Sequence, residues 1–274
     1  MLKARALVAR AHAAGLPVHF VIFNAPDSGW AQRDFVRAVL ASAILCQRYL
    51  APEYGLQPPI LQALTPGEAP PTIAECEVAG TVRALLGVVK SIPDEPTAQG
   101  WHQALGSGEP FDGYISTEGI NNDGRAECLS HEIGETLVDP MLDKTSTDAA
   151  GNIFPVEPFD PTQAGGLNPN AERIPIEMND GQPPEYVGNF GLKTYWNAAT
   201  PLGTKVDFLG LLPGPHTLGV HGYSAITKAD GTGTDVYGVG FERVELPAHK
   251  QRPDCRIQVR LTRMREVARA RDTR

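Results

Sequence analysis

The segment from Ser130 to Pro140 holds four side chains that can bind a metal ion or act beside one. His131 and Glu135 are four residues apart, so on a helix they project from one face, one turn from each other. Glu132 lies one residue further round the helix, where its carboxylate can accept a proton from water at the metal. Asp139 follows one turn after Glu135. The spacing is that of the H-E-x-x-H zinc motif with Glu135 in place of the second histidine.

Two more carboxylates follow in a long polar segment. Glu157 and Asp160 lie within residues 139–184, a stretch rich in Pro, Gly, Asn and Asp with little periodicity. Loops of this length are usually functional or disordered, and this one is long enough to fold back on the helix. We therefore expect Asp139, Glu157 or Asp160 to be the third ligand. The alternative is that Glu157 and Asp160 only form turns beside the prolines that follow them.

A histidine and two glutamates also occur by chance on exposed helix faces, so the flanking residues matter. Thr136-Leu137-Val138 gives the segment an apolar flank. Gly134 in mid-helix costs roughly 1 kcal/mol relative to Ala, which is tolerable if another group must approach the helix closely there. The turn cluster at residues 121–124 offers an N-cap, and Pro140 ends the helix. These features favour a site over a solvated helix face.

The ligand types also bear on which metal is bound. One histidine with two carboxylates carries more negative charge than two histidines with one glutamate, which makes the cation a weaker Lewis acid. We expect Zn²⁺, with Mn²⁺ or Ca²⁺ as alternatives. Tyr114 and His102 are candidates for stabilising the electrophile, although the sequence favours a structural role for His102.

Several segments are expected to form the scaffold around this helix. Val18 to Phe23 and the apolar run Val82 to Ile92 predict strands, and Tyr114 to Ser116 predicts a shorter one. Trp30 to Leu50 predicts a long helix with Phe35, Val39, Ile44 and Leu45 inward, Ser28 as its cap and Pro52 at its end. Other expectations are an alanine-rich helix at 2–14, a surface connection at 57–71, loose alternation at 73–78, a strand at 187–196, and strands and turns from Val206 onward, including a turn at 230–233 and strands at 236–244 and 256–261.

Composition and charge exclude several classes of protein. The 274 residues are 42% hydrophobic and 20% charged, with no apolar stretch near the roughly 20 residues that span a bilayer. We expect no signal peptide, because the first residues hold no long apolar run. The four cysteines are widely spaced, which favours free thiols in a reducing compartment. Residues 250–274 carry a charge of +6 and the rest −14. An acidic body argues against nucleic-acid binding there, whereas the basic tail could touch nucleic acid or dock on an acidic neighbour or another copy.

The segment around His131 resembles the metal-binding helix of the zincin metallopeptidases. It is more closely similar to uncharacterised bacterial and phage-encoded proteins with a Ser-His-Glu-x-x-Glu-x-x-x-Asp-Pro motif. The likeness is loose over residues 17–225 and includes the segments 48–55, 100–102, 157–161 and 187–190. It implies an α+β fold with a zincin-like mixed sheet and a metal-site helix at 1–200, followed by a loop-rich β extension with a basic tail at 201–274.

Two functions follow from these expectations. The first is a zinc-dependent, peptidase-like hydrolase acting on peptides, with His131 and Glu135 as ligands and Glu132 as the proton acceptor. The second is a non-enzymatic phage virion protein that keeps the scaffold and binds neighbouring virion proteins. The expected location is accordingly the cytoplasm or the virion.

Overall fold

A computed structural model describes residues 14–65, 67–93, 98–106, 111–163 and 172–238. The predicted strand at 256–261, the last part of the one at 236–244, nearly all of the helix at 2–14 and the basic tail lie outside these residues. Within them the protein is a mixed α+β structure with several sheets and few helices. The described residues divide into two compact units, 14–141 with 173–188, and 142–172 with 189–238.

A five-stranded sheet forms the centre of the first unit. Its strands are β1 (Val18–Asn24), β2 (Ile60–Leu64), β3 (Val82–Val89), β4 (Gly100–His102) and β5 (Gly113–Ser116), in the order β2-β1-β3-β5-β4. All pair in parallel except β4, which is antiparallel to β5 at one edge. The middle strands β1 and β3 are almost continuously apolar and mostly buried, as expected for strands covered on both faces. The predicted strands at 18–23 and 114–116 are thus confirmed, and the one predicted at 82–92 is confirmed as far as Val89.

The long helix predicted after β1 is present, but neither of its predicted ends is right. Helix α1 (Gln32–Leu45) continues through a π-helical turn (Cys46–Leu50) into α2 (Ala51–Tyr54). Ser28 is not the cap: its hydroxyl bonds Asn24, and Ala31 precedes the helix without a capping side chain. Pro52 does not end the helix, because in the first turn of α2 its missing N–H costs little. Gly55, with a φ of 66°, ends it.

Two neighbouring segments also differ from expectation. The proline-rich connection at 57–71 contains β2, which pairs with β1 from His19 and Ile60 onward. Residues 73–78 form helix α3 (Ile73–Val78), because Thr72 and Glu75 cap each other's backbone N–H groups in a capping box. The capping box therefore decided the secondary structure of this segment, in spite of the apparent alternation of apolar residues.

Helix α4 (Asn122–Val138) carries the metal-ligand motif. This helix and a two-stranded sheet complete the first unit. Strand β8 (Arg173–Ile176) pairs with β9 (Glu185–Gly188) in antiparallel fashion. Helix α4 packs against β9, α1, β4 and β5. The motif is therefore held between the edge of the main sheet and a second layer.

The second unit contains short strands and 3₁₀ turns. Strands β6 (Thr145–Thr147), β7 (Ile153–Pro155), β10 (Tyr223–Thr227) and β11 (Gly233–Tyr237) form a sheet in the order β11-β10-β7-β6. The hairpin turn predicted at 230–233 joins β10 to β11. The single strand predicted at 187–196 is wrong, since only its start belongs to β9 and residues Lys193–Trp196 form a 3₁₀ turn. The division at residue 200 stays a prediction, because 239–274 are not described.

In the described part of the chain, every helix is too short or too polar to cross a membrane. Cys46, Cys76 and Cys128 are free thiols, as predicted, and Cys255 lies outside the described residues. Burial raises the pKa of the Cys46 thiol to about 12, so this thiol is not a reactive nucleophile at neutral pH.

Candidate metal centre

Helix α4 begins and ends as its sequence predicts. Asn121 is the N-cap, and its side-chain oxygen accepts a 2.9 Å hydrogen bond from the Gly124 N–H. At the other end, Asp139 leaves the helical conformation with φ −131° and ψ 66°, directly before Pro140. These ends place His131 and Glu135 one turn apart in the last half of the helix, as the motif requires.

The motif is buried and not a solvated helix face. Every residue from Leu129 to Val138 is buried. His131, Glu132 and Glu135 are 7%, 5% and 2% exposed. Buried charged groups are usually paired or bound to metal, since removing a carboxylate from water is costly. The interpretation as a chance cluster on an exposed face is therefore wrong.

His102, on the edge strand β4, joins these residues. Its Nδ1 lies 2.8 Å from Oε2 of Glu132 and 3.6 Å from Oε2 of Glu135. The sequence favoured a structural role for His102 and considered a place at the site as the alternative. The structure puts it among the predicted site residues of the same unit.

Two glycines give His102 and Glu132 the room to meet. A Cβ at Gly100 would lie 2.8 Å from Sγ of Cys128 and 2.9 Å from Cδ of Glu132. A Cβ at Gly113, opposite His102 in the β4–β5 register, would lie 2.8 Å from the Trp101 carbonyl oxygen. The missing side chain at Gly100 lets the edge strand approach the helix, and the one at Gly113 lets β4 pair closely with β5.

Glu135 lies between two histidines. Its Oε1 is 3.3 Å from Nε2 of His131, while its Oε2 faces His102. Both separations exceed the usual length of an N–H···O hydrogen bond. Two ligand atoms that are each about 2.1 Å from a tetrahedral ion are about 3.4 Å apart. The His131–Glu135 and His102–Glu135 pairs therefore fit shared ions better than direct hydrogen bonds, and Glu135 belongs to both groups of ligand atoms that could hold one.

The donor atoms suit the expected metals. Imidazole nitrogen and carboxylate oxygen are ligands that zinc and manganese both accept, whereas calcium takes oxygen ligands almost exclusively. The presence of His102 beside His131 makes the donor set richer in nitrogen than the sequence predicted. The residues present fit Zn²⁺ or Mn²⁺, and the fit to Ca²⁺ is poor.

The opposite side of α4 is fixed by polar contacts. Trp30 donates its indole N–H to Asn122 Oδ1 at 2.6 Å, and the Gly188 N–H of β9 donates to Oγ of Ser130 at 2.9 Å. Arg173 of β8 bonds the carboxylate of Glu127 at 2.8 Å. Contacts at three points along the helix fix its rotation and so the direction in which the motif points.

The remaining predicted ligands are buried carboxylates. Asp139 is buried at the end of α4. Glu157 and Asp160 belong to the second unit, where they are 1% and 2% exposed and Asp160 opens a 3₁₀ turn (Asp160–Thr162). Their assignment as ligands stays a prediction. Tyr114 packs its ring against Trp101 and Phe111, in an aromatic cluster.

Comparisons with models of protein families, with curated proteins and with solved structures find no match to this chain.

Proposed function

We propose that this protein is a metal-dependent hydrolase of the zincin-like, peptidase type, with zinc as the expected metal and Mn²⁺ as the alternative. The observation that carries the proposal is the Glu135 carboxylate, buried between His131 and His102 on a helix packed against the sheet edge. Such a helix beside a mixed sheet is what the resemblance to zincins implies. Peptides are the proposed substrates, and the cytoplasm or the virion is the proposed location.

His131 and Glu135 are the proposed core of the ligand set. Asp139, Glu157 and Asp160 remain the candidates to complete it. Glu157 and Asp160 are only 1% and 2% exposed. Near-complete burial of both carboxylates supports this part of the proposal, because buried carboxylates are typically paired or coordinate metals.

Glu132 is the proposed proton acceptor. A bound zinc ion would polarise a carbonyl group and lower the pKa of a neighbouring water molecule. Glu132 would take the proton of that water, and its Oε2 lies 2.8 Å from Nδ1 of His102, which holds the carboxylate in place.

Metal content and peptide cleavage test the proposal together. We expect purified protein to retain zinc or manganese by mass spectrometry and Glu135→Ala to lose it. In a peptide-library assay, Glu132→Gln should lower the rate by about 10²–10⁴-fold, the usual contribution of general acid–base catalysis, with metal retained. His19→Gln is a matched control, because His19 is a part-buried histidine of β1 bonded to Gln62.

The outcomes separate the two functions. Metal retention without cleavage of any peptide would overturn the hydrolase and favour the non-enzymatic virion protein, for which assembly with neighbouring copies would be the activity to measure. Unchanged metal content in Glu135→Ala would remove Glu135 from the ligand set and overturn the proposed site.

A further inference from the structure

We propose that Ser146 and His216 form a separate, metal-independent hydrolytic site, in which Ser146 is the nucleophile, His216 is its general base and small carboxylic esters are the substrates. Oγ of Ser146 lies 2.8 Å from Nε2 of His216, the distance of a hydrogen bond between a nucleophile and its base. Both residues are partly exposed, so a substrate can reach them. They belong to the second unit, and the proposal does not depend on the metal centre of the first.

Ser146 stands on an edge strand opposite an aromatic residue. It lies on β6, which pairs with β7 alone among the described strands, and its partner in the register is Phe154. Residues directly opposite each other in a sheet direct their side chains to the same face. The ring centroid of Phe154 is 4.9 Å from that of His216. The imidazole therefore packs on the face of the sheet that carries the Ser146 hydroxyl.

The backbone of His216 is held in an uncommon conformation. Its φ is 54°, in the left-handed region that residues with a side chain seldom adopt. The His216 N–H donates to the carbonyl oxygen of Tyr195 at 3.2 Å, and the Tyr195 hydroxyl donates to the carbonyl oxygen of Thr217 at 2.9 Å. These bonds on consecutive residues hold the imidazole in place. Backbone conformations of this kind persist where surrounding contacts enforce them, and they are concentrated at functional sites.

The protonation state of His216 suits a base. Burial lowers the pKa of His216 below its ordinary value of 6.5, and the charge of Asp148 opposes this in part. The imidazole is therefore neutral at neutral pH, with one ring nitrogen able to accept a proton. We assign the ring proton to Nδ1, so that Nε2 accepts the hydrogen bond of the Ser146 hydroxyl.

Asp148 supplies a fixed negative charge beside this base. Its Oδ1 accepts from the N–H groups of Ala150 and Asn152 at 2.9 and 2.8 Å, and its Oδ2 accepts from the Asn152 side-chain amide at 2.8 Å. Burial raises the pKa of Asp148, but the hydrogen bonds outweigh it and lower the pKa below its ordinary value. The carboxylate therefore stays charged when His216 takes up a proton, and its charge stabilises the imidazolium.

The reaction needs only an ester and water. Oγ of Ser146 bonds to the carbonyl carbon of the ester while its proton passes to Nε2 of His216. The bond from that carbon to the alcohol oxygen then breaks, and Nε2 returns the proton to the leaving alcohol. A water molecule repeats both steps on the acyl-serine, which releases the acid and restores Ser146. Esters are assigned because an alcohol leaves more readily than an amine and Asp148 acts on the base through its charge.

Covalent labelling tests the nucleophile without any variant. A fluorophosphonate should phosphonylate the wild-type protein with release of fluoride, and mass spectrometry of peptides should place the adduct on Ser146. The same adduct should form after a chelator has removed bound metal. No adduct, or an adduct on other residues only, would overturn this proposal and leave the proposed metal centre intact.

Hydrolysis of p-nitrophenyl acetate then measures turnover. Ser146→Ala and His216→Asn should each lower the rate by about 10²-fold or more, as expected when general-base catalysis is lost. Thr147→Ala is the matched control and should keep the wild-type rate, because Thr147 points to the opposite face of the same strand. An unchanged rate in Ser146→Ala would overturn the proposal.

The pH profile separates a base from a structural histidine. The wild-type rate should fall as pH drops through the lowered pKa of His216, because a protonated imidazole cannot accept the Ser146 proton. Asp148→Asn should move this fall to lower pH, since the pKa of His216 decreases without the neighbouring charge. A profile that is the same in the wild type and in Asp148→Asn would overturn the role of Asp148, and a rate independent of pH below 6.5 would overturn that of His216.

Discussion

Gly100 and Glu132 come so close together that no side chain fits at position 100. A Cβ there would lie 2.9 Å from Cδ of Glu132 and 2.8 Å from Sγ of Cys128. The glycine stands on the edge strand and the glutamate on the helix, so this contact sets how near the two elements approach.

Gly100→Ala should therefore disturb the site without touching any proposed ligand. The added methyl group must displace the Glu132 carboxylate or push β4 away from α4, at a cost of about 1–3 kcal/mol, as for other overpacked sites. We expect a lower midpoint in urea unfolding and weaker metal binding by calorimetry. Gly191→Ala is the control, because a Cβ there meets nothing nearer than 3.4 Å. Equal behaviour of the two variants would contradict the prediction.

The start of the metal helix can be weakened independently of the site. Asn121→Ala removes the side-chain oxygen that accepts from the Gly124 N–H, which should lower the free energy of unfolding by about 1 kcal/mol. Asn121→Asp keeps an acceptor at the cap and should retain most of the stability. Metal affinity should change little in either variant, because His131 lies more than two turns away. If Asn121→Asp lowers the free energy of unfolding as much as Asn121→Ala does, the capping role of Asn121 is contradicted.

Metal binding should contribute to stability. An ion that binds only the folded chain raises the free energy of unfolding, by about 2.7 kcal/mol at a free concentration one hundred times Kd. A chelator should therefore lower Tm in the wild type, and added Zn²⁺ should restore it. Glu135→Ala, which loses a ligand, should show the same Tm with and without chelator. A wild-type Tm indifferent to the chelator would contradict metal binding by the folded chain.

The second unit should lose stability as pH falls, because of His216. Burial lowers the pKa of His216 below its ordinary value of 6.5, although the charge of Asp148 opposes this. As pH falls through 6.5 the unfolded chain takes up the proton first, so the free energy of unfolding decreases until pH reaches the lowered pKa of the folded state. Unfolding in urea at pH 7.5 and 5.5 measures the difference.

Two variants isolate this contribution. His216→Asn should reduce the difference between pH 7.5 and 5.5, and asparagine tolerates the φ of 54° at this position. Asp148→Asn should enlarge it, since the pKa of His216 falls further without the neighbouring charge. An identical pH dependence in all three proteins would contradict the assignment to His216.

The parts of the fold that the sequence predicted correctly carry local signals. Strands β1 and β3 are long apolar runs, and helix α4 has a cap at Asn121 and a stop at Pro140. Strand β2 was missed because the prolines around it suggest a loop, while its place in the sheet depends on pairing with β1. The capping box of Thr72 and Glu75 was readable, yet six residues are too few for helical periodicity to show.

The site residues also differ in whether a local signal predicts them. His131, Glu132 and Glu135 were found because helical spacing alone brings them together. His102 is 29 residues before His131, and only the register of β4 on β5 directs it at the helix. The signal that could have identified it is the pair Gly100 and His102, which are two apart and so on the same face of a strand, with a glycine where a helix comes close.

The edge position of β4 makes the contact between His102 and Glu132 depend on strand alignment. This strand has three residues and pairs through them with β5 alone among the described strands. A slip by one position would exchange the faces of Trp101 and His102, since neighbours along a strand point in opposite directions. The 2.8 Å contact of His102 Nδ1 with Glu132 Oε2 selects against the slipped pairing, so a Glu132→Ala variant, which loses this contact, should hold the alignment of β4 less firmly.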